Sequence, residues 1–192
     1  MSTPKRIVLG SGKLHLIEFT SSAQIATTAA VIALATDQNI LGYIKGGASL
    51  AYTPTFYTAT DDLGVVTKTI ITDEECTLAS GIMTFNGETL AKLSATGRVT
   101  DDATNHTRTL KIGGVGNANN TKYVIIFHHE DAVDGDIYVC IVGNNTSGFT
   151  LAFAKDQETV IDAEFRAQAQ DDEGTLIMYI EKEPTASQGG VH

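Results

Sequence analysis

The sequence predicts an all-β protein, an antiparallel β-sandwich with one flanking α-helix and a long β-hairpin loop, on three observations. Short β-branched runs recur through the second half between clusters of Gly, Asn and Asp, the spacing of strands in an antiparallel sandwich or barrel. Two extended arms flank the turn-rich Thr58–Gly64 (TATDDLG), which reads as a long hairpin around Asp61-Asp62. One capped amphipathic stretch, Gly87–Ala95, stands among them, and one helix suits a sheet that needs one face covered.

Taken in order, Lys13–Phe19 (KLHLIEF) follows a polar leader and reads as a strand. The Ala-rich Ser21–Asn39, with Ile25, Val31, Ile32 and Leu34, carries a short helix. Tyr43–Tyr57 is extended, interrupted by Gly46-Gly47 and Pro54, and Val65–Ile71 forms the second arm of the hairpin. Thr77–Phe85 continues the sheet. Asn86 is a good N-cap, Glu88 adds an acid in the first turn, and Leu90 and Leu93 supply the apolar face of the helix. Arg108–Ile112, Lys122–His128, Asp136–Val142, Phe149–Ala154, Val160–Ala167 and Thr175–Glu181 are the remaining strands. Phe149, Leu151 and Phe153 alternate with smaller residues, the pattern of a strand with one core face. Tyr123–Phe127 and Ile137–Val142 are apolar on both faces. Their outer face must therefore meet a helix or another subunit, which is a hint of oligomerisation. Residues 1–183 read as one domain and 184–192 as a disordered tail.

The 192 residues carry 23 acids against 13 Lys and Arg, a formal charge of −10. From Glu130 to Glu183 only Lys155, Arg166 and Lys182 offset 13 acids. A basic footprint for gripping phosphates is missing. Cys76 and Cys140 lie far apart outside any CxxC and read as buried free thiols, which fits a reducing compartment. The opening MSTPKRIVLG has no long apolar core, so no signal peptide is expected. The longest apolar run, Ala29–Ala35, is too short to span a bilayer. A soluble protein made in a cytoplasm is the expectation.

Four stretches invite a chemical reading. Phe127–Asp131 (FHHED) is dense in metal-ligand types, but on a strand His128 and His129 point to opposite sides and do not converge on one ion. Asp131–Asp136 (DAVDGD) then supplies the turn into the next strand. Lys111–Asn120 (KIGGVGNANN) lacks both glycine-rich phosphate patterns and precedes a strand instead of a helix, so it reads as a flexible hairpin loop. Asp171–Gly174 (DDEG) lacks the spacing and closing Glu of a calcium loop. No G-x-S-x-G is present, and neither cysteine has a sequence cue for a His partner.

With the chemical motifs set aside, a succession of segments becomes informative. Leu41–Pro54 (LGYIKGGASLAYTP), Ala79–Ala95 (ASGIMTFNGETLAKLSA), Arg108–Gly114 (RTLKIGG) and Ala163–Leu176 (AEFRAQAQDDEGTL) resemble, in that order, major tail tube proteins of long-tailed, siphovirus-type bacteriophages. The last segment is the most specific, and the similarity runs from Lys13 to Glu181. The resemblance implies a structural virion protein without enzymatic activity or cofactor. It implies self-assembly into stacked hexameric rings whose inner strands join into one β-barrel that conducts DNA. The implied partners are further copies of the chain, the tape measure, the tail terminator and the baseplate or distal tail proteins. DNA is met only in passing through the lumen, and the chain resides in the virion tail after a stage in the host cytoplasm. The rival readings are the inner tube of a contractile tail or tail-derived particle, and a non-enzymatic β-sandwich binding module. A binding module would cluster exposed aromatics on loops, whereas most Tyr and Phe here lie in strand patterns. An enzyme would need a convergent polar pocket that no motif announces.

Two sets of residues are expected to matter in such a tube. The inter-ring contact is placed on Thr55–Thr72, with Thr58, Ala59, Thr60, Asp61, Asp62, Leu63 and Gly64 at its polar tip. The acids expected to line the lumen are Asp61, Asp62, Asp73, Glu74, Glu75, Asp162 and Glu164. Negative walls there would let DNA slide without adhesive cation–phosphate contacts.

Overall fold

The computed structural model describes Val8 and residues 10–183; the expected tail at 184–192 lies outside them. The strands are β1 (Lys13–Glu18), β2 (Ile40–Thr60), β3 (Thr67–Ile82), β4 (Arg98–Asp102), β5 (Thr107–Lys111), β6 (Tyr123–His129), β7 (Ile137–Asn145), β8 (Ile161–Gln168) and β9 (Met178–Glu181). Helices α1 (Thr28–Leu34) and α2 (Gly87–Lys92) are both short. The fold is all-β, antiparallel and sandwich-like, with a flanking helix and a long hairpin. The main sheet runs β6-β1-β2-β3-β8-β7-β9, and β6 also pairs with β7. That extra pairing closes the sheet into a barrel and removes the edges that β6 and β7 would otherwise present.

Alternation along the closed sheet sorts apolar side chains into two cores. Inside the barrel, Leu14, Leu16, Leu41, Leu78, Ile82, Ile125, Ile141, Ile161 and Phe165 pack with Cys76. Outside it, Val124 and Ile126 of β6, Tyr138, Cys140 and Val142 of β7 and Ile180 of β9 form a second cluster with Ile25 and Val31. The two-faced strands thus meet the Ser21–Asn39 segment of their own chain, and their hint of oligomerisation is withdrawn. It is α1, and not α2, that covers this outer face. Thr27 Oγ1 caps α1 by accepting from Ala30 N at 3.1 Å. Asn86 caps α2 as its sequence predicts, accepting from Glu88 N and Thr89 N at 2.9 and 3.0 Å. Leu93 then drops into the inner core, and its carbonyl accepts from the buried Asn145 Nδ2 at 2.8 Å.

Three expectations are corrected. Phe149–Ala154 is not a strand. Asn145 and Phe165 already pair across β7 and β8, so the chain between these strands has no ladder to join, and only an isolated Ala154–Gln157 bridge forms. Phe149 and Leu151 still lean on the inner core, but Phe153 is 81% exposed. The last strand is shorter than Thr175–Glu181, because β7 offers it only Ile137–Cys140 as partner. The Lys111–Asn120 loop is not a hairpin, since β5 pairs only with β4, in a separate two-stranded sheet, and β6 belongs to the barrel. β4 has no counterpart in the sequence reading.

Candidate functional site

The most unusual feature is the continuation of β2 and β3 past the barrel. β1 pairs with β2 only as far as Tyr43, and β8 pairs with β3 only up to Thr77. Beyond those points Tyr52–Thr60 and Thr67–Cys76 pair only with each other, a bare ribbon of roughly 30 Å at about 3.3 Å per residue. Bulges between Lys45 and Ala48 and at Thr55/Phe56 punctuate the register. Gly46 and Gly47 supply the first with φ of 82° and 80°, a backbone region that glycine enters without steric cost. Because this bulge inserts two residues, Ile44 and Ala48 stay on the inner face and Lys45 and Ser49 on the outer.

The two faces of the ribbon differ. Leu50, Tyr52, Pro54 and Phe56 of β2 share one face with Leu78 and Cys76 and, across the second bulge, with Ile71. This is the face that, inside the barrel, carries the inner core; outside, Phe56 and Ile71 remain 57% and 53% exposed. The opposite face carries Thr53 and Thr55 beside Glu75 and Asp73, with Tyr57 opposite Ile70 near the tip. Isolated two-stranded ribbons are marginal in water, and contiguous exposed apolar residues on one mark a surface that is covered in use.

Each acid expected to matter has a definite place. Asp73, Glu75, Asp162 and Glu164 share the outer face of β3 and β8, where Glu164 lies beside Ala79 and Asp162 beside Gly81. The structure therefore gathers four of the seven. Arg166 of the same face reaches Glu75 at 3.4 Å, and Lys45 is ion-paired with Glu158. Glu74 faces the other way, on the apolar side, where it accepts from the Tyr52 hydroxyl. That bond is the main cause of the raised Tyr52 pKa. Asp61 builds the turn. Its Oδ1 accepts from Val66 N at 2.7 Å, and this donor chiefly holds the Asp61 carboxyl below its ordinary range. Thr58 pairs with Thr69 through their hydroxyls at 2.9 Å, and Ala59 and Thr60 complete the arm. Asp62 and Gly64 sit in the turn, but the tip is only partly polar, because Leu63, Val65 and Val66 are strongly exposed.

A cleft of about 650 Å³ opens beside the first bulge, lined by Lys45, Ser49, Ser80, Phe149, Asp162 and Glu164 among others. Its one buried hydroxyl, Ser80 Oγ, is committed to the Gly47 carbonyl at 3.1 Å. The FHHED stretch is a strand through His129, with its imidazoles on opposite faces. His128 stacks on Tyr138 at 4.2 Å and lies 3.5 Å from Asp136, while His129 Nδ1 meets the Ser11 carbonyl at 2.7 Å. Among the described residues, no three His, Cys, Asp or Glu side chains gather as a metal-binding group. No described helix is long and apolar enough to cross a membrane.

The apolar stripe of the ribbon was missed in the sequence reading. Its signal lies in the alternate positions of SLAYTPTF, where Leu50, Tyr52 and Phe56 share a parity. No protein-family model and no curated protein matches the chain.

Proposed function

We propose that the chain is a self-assembling structural subunit whose ribbon is its coupling arm. The observation that carries this is the arm itself, with a stripe of apolar side chains continuous with the core yet left in solvent on a two-stranded support. Such a surface gains stability only by lying on another molecule. The resemblance in the four quoted segments then favours one particular assembly, the tail tube of a siphovirus-type phage. In this reading hexameric rings stack, the apolar face of each ribbon packs on a neighbouring copy, and the tip from Thr58 to Gly64 reaches the adjacent ring. The acidic outer face with Asp73, Glu75, Asp162 and Glu164 turns to the lumen, where DNA slides past it. Tape measure, terminator and baseplate or distal tail proteins would meet the tube in the virion.

Electron microscopy and light scattering of the purified chain test the proposal. Rings or tubes are expected at high concentration, and deletion of Ala59–Gly64 should leave the barrel folded while abolishing them. A chain that stays monomeric at every concentration, even with tail initiator present, defeats the proposal. Normal tubes from the deletion variant defeat the assignment of the tip.

A further inference from the structure

The outer cluster is a separate small core, and its cover hangs on a buried imidazole. His15, on the outer face of β1, is 1% exposed, and its Nδ1 lies 3.0 Å from the Thr36 carbonyl at the end of the covering segment. A carbonyl only accepts, so Nδ1 carries the proton and Nε2 the lone pair. That Nε2 is buried without a hydrogen-bond partner among the described residues. A second proton would place an unsatisfied N–H and a charge in the seam between sheet and cover. The Thr36 carbonyl and Asp37 favour a charged ring, but burial outweighs them. Lys13 on its own strand is cationic and is already held by Asp37 at 3.5 Å and Glu130 at 2.8 Å. The ring of His128 on β6 stands 6.2 Å away, and beyond it come Tyr138 and Asp136.

We propose that Ser22–Asn39 is an acid-released cover: a second proton on His15, at the partnerless Nε2, is accommodated only when the cover lifts from the sheet, which bares the apolar face of β6 and β7 while the barrel stays folded. Burial, the largest cause, lowers the His15 pKa from its ordinary 6.5. The released state therefore binds more protons than the docked one. Docking is at full strength above that ordinary value and weakens as pH falls below it, by at most about tenfold per unit.

The two thiols report the two cores independently. Cys140 lies under the cover in the outer cluster, and Cys76 in the barrel interior. Labelling of the intact chain with 4,4′-dithiodipyridine, resolved by peptide mass and normalised to the unfolded chain, should respond to acid at one thiol only. Cys140 should be labelled faster at about pH 5 than at about pH 7.5, by up to about 30-fold, with Cys76 unchanged. The H15Q variant keeps an N–H for the Thr36 carbonyl but cannot titrate, so its Cys140 rate should be flat. Both thiols accelerating together, no acceleration at all, or a wild-type response in H15Q would each overturn the proposal. Should H15Q not fold, the wild-type His15 ring protons settle the matter by NMR, since titration at or above 6.5 also overturns it.

Discussion

Replacing Phe56 and Ile71 together by Ser separates an assembly surface from a folding surface. Both side chains have a little over half of their surface in solvent, 57% and 53%. Full burial of such a side chain is worth about 1.5–3 kcal/mol, so covering the exposed half is worth about 1 kcal/mol each. The double replacement should therefore weaken each ribbon contact by about 2 kcal/mol, roughly 30-fold in association. In the proposed tube each added subunit would seat one ribbon, so the concentration at which tubes appear should rise by about the same factor. Folding should lose no more than about 2 kcal/mol, the worth of the two halves already covered within the chain, or roughly 4–8 °C in a chain of this size. Sedimentation across a concentration series gives the first quantity and a calorimetric melt the second. An unchanged threshold would remove the stripe from the assembly surface. A melt lowered by about 10 °C would mean that the stripe stabilises its own barrel, and the reasoning from the ribbon would fail.

Two further outcomes follow from the same geometry. Reversing Asp73, Glu75, Asp162 and Glu164 to Lys should leave tubes intact but slow DNA ejection, since each new cation can hold a phosphate; ejection kinetics unchanged by all four would make that face's charge incidental. Phe165→Ala empties the largest fully buried side chain of the inner core and should cost about 3–5 kcal/mol, seen as a lower urea midpoint at constant slope; a loss below about 1 kcal/mol would mean that the barrel interior is not the main core.

Where a local cause suffices, the sequence was legible. The capped α2 follows from Asn86, the hairpin from the Asp-rich turn between β-branched arms, β1 and β8 from alternation, and β6 from its β-branched apolar run. The four acids on one face were not legible as a set. Asp73 and Glu75 share a parity, but their alignment with Asp162 and Glu164 depends on the pairing of β3 with β8. Glu74, adjacent in sequence, falls on the other side for the same reason. Phe149–Ala154 failed because alternation states a preference for strand but cannot supply a partner ladder, and Asn145 and Phe165 had already closed it. The apolar outer face of β6 and β7 was recognised, yet nothing in its own residues says that Ile25 and Val31, more than eighty positions earlier, come to cover it.

That cover sharpens the case for the ribbon. Before the outer cluster is known, β6 and β7 are as good a candidate for subunit contact as any other part of the chain, since their apolar outer faces demand a neighbour. Once α1 and Ile180 occupy that face, the demand is met within the chain, and β6 is paired on both sides. The unmet demand moves to Tyr52, Phe56 and Ile71, on the stretch that no third strand supports, and to Leu50 at its base. A barrel with two filled cores can carry such an arm because the arm adds little to its folding. In the proposed assembly the arm would gain most of its stability where a neighbour covers it, since a ribbon without a third strand belongs to the least stable segments of a native chain. In the proposed tube that arrangement would keep free subunits from joining at low concentration, because each contact must first offset the cost of fixing the ribbon. A nucleus that presents several ribbons already in place removes that cost for the next copy, so growth from an initiator should outrun spontaneous assembly.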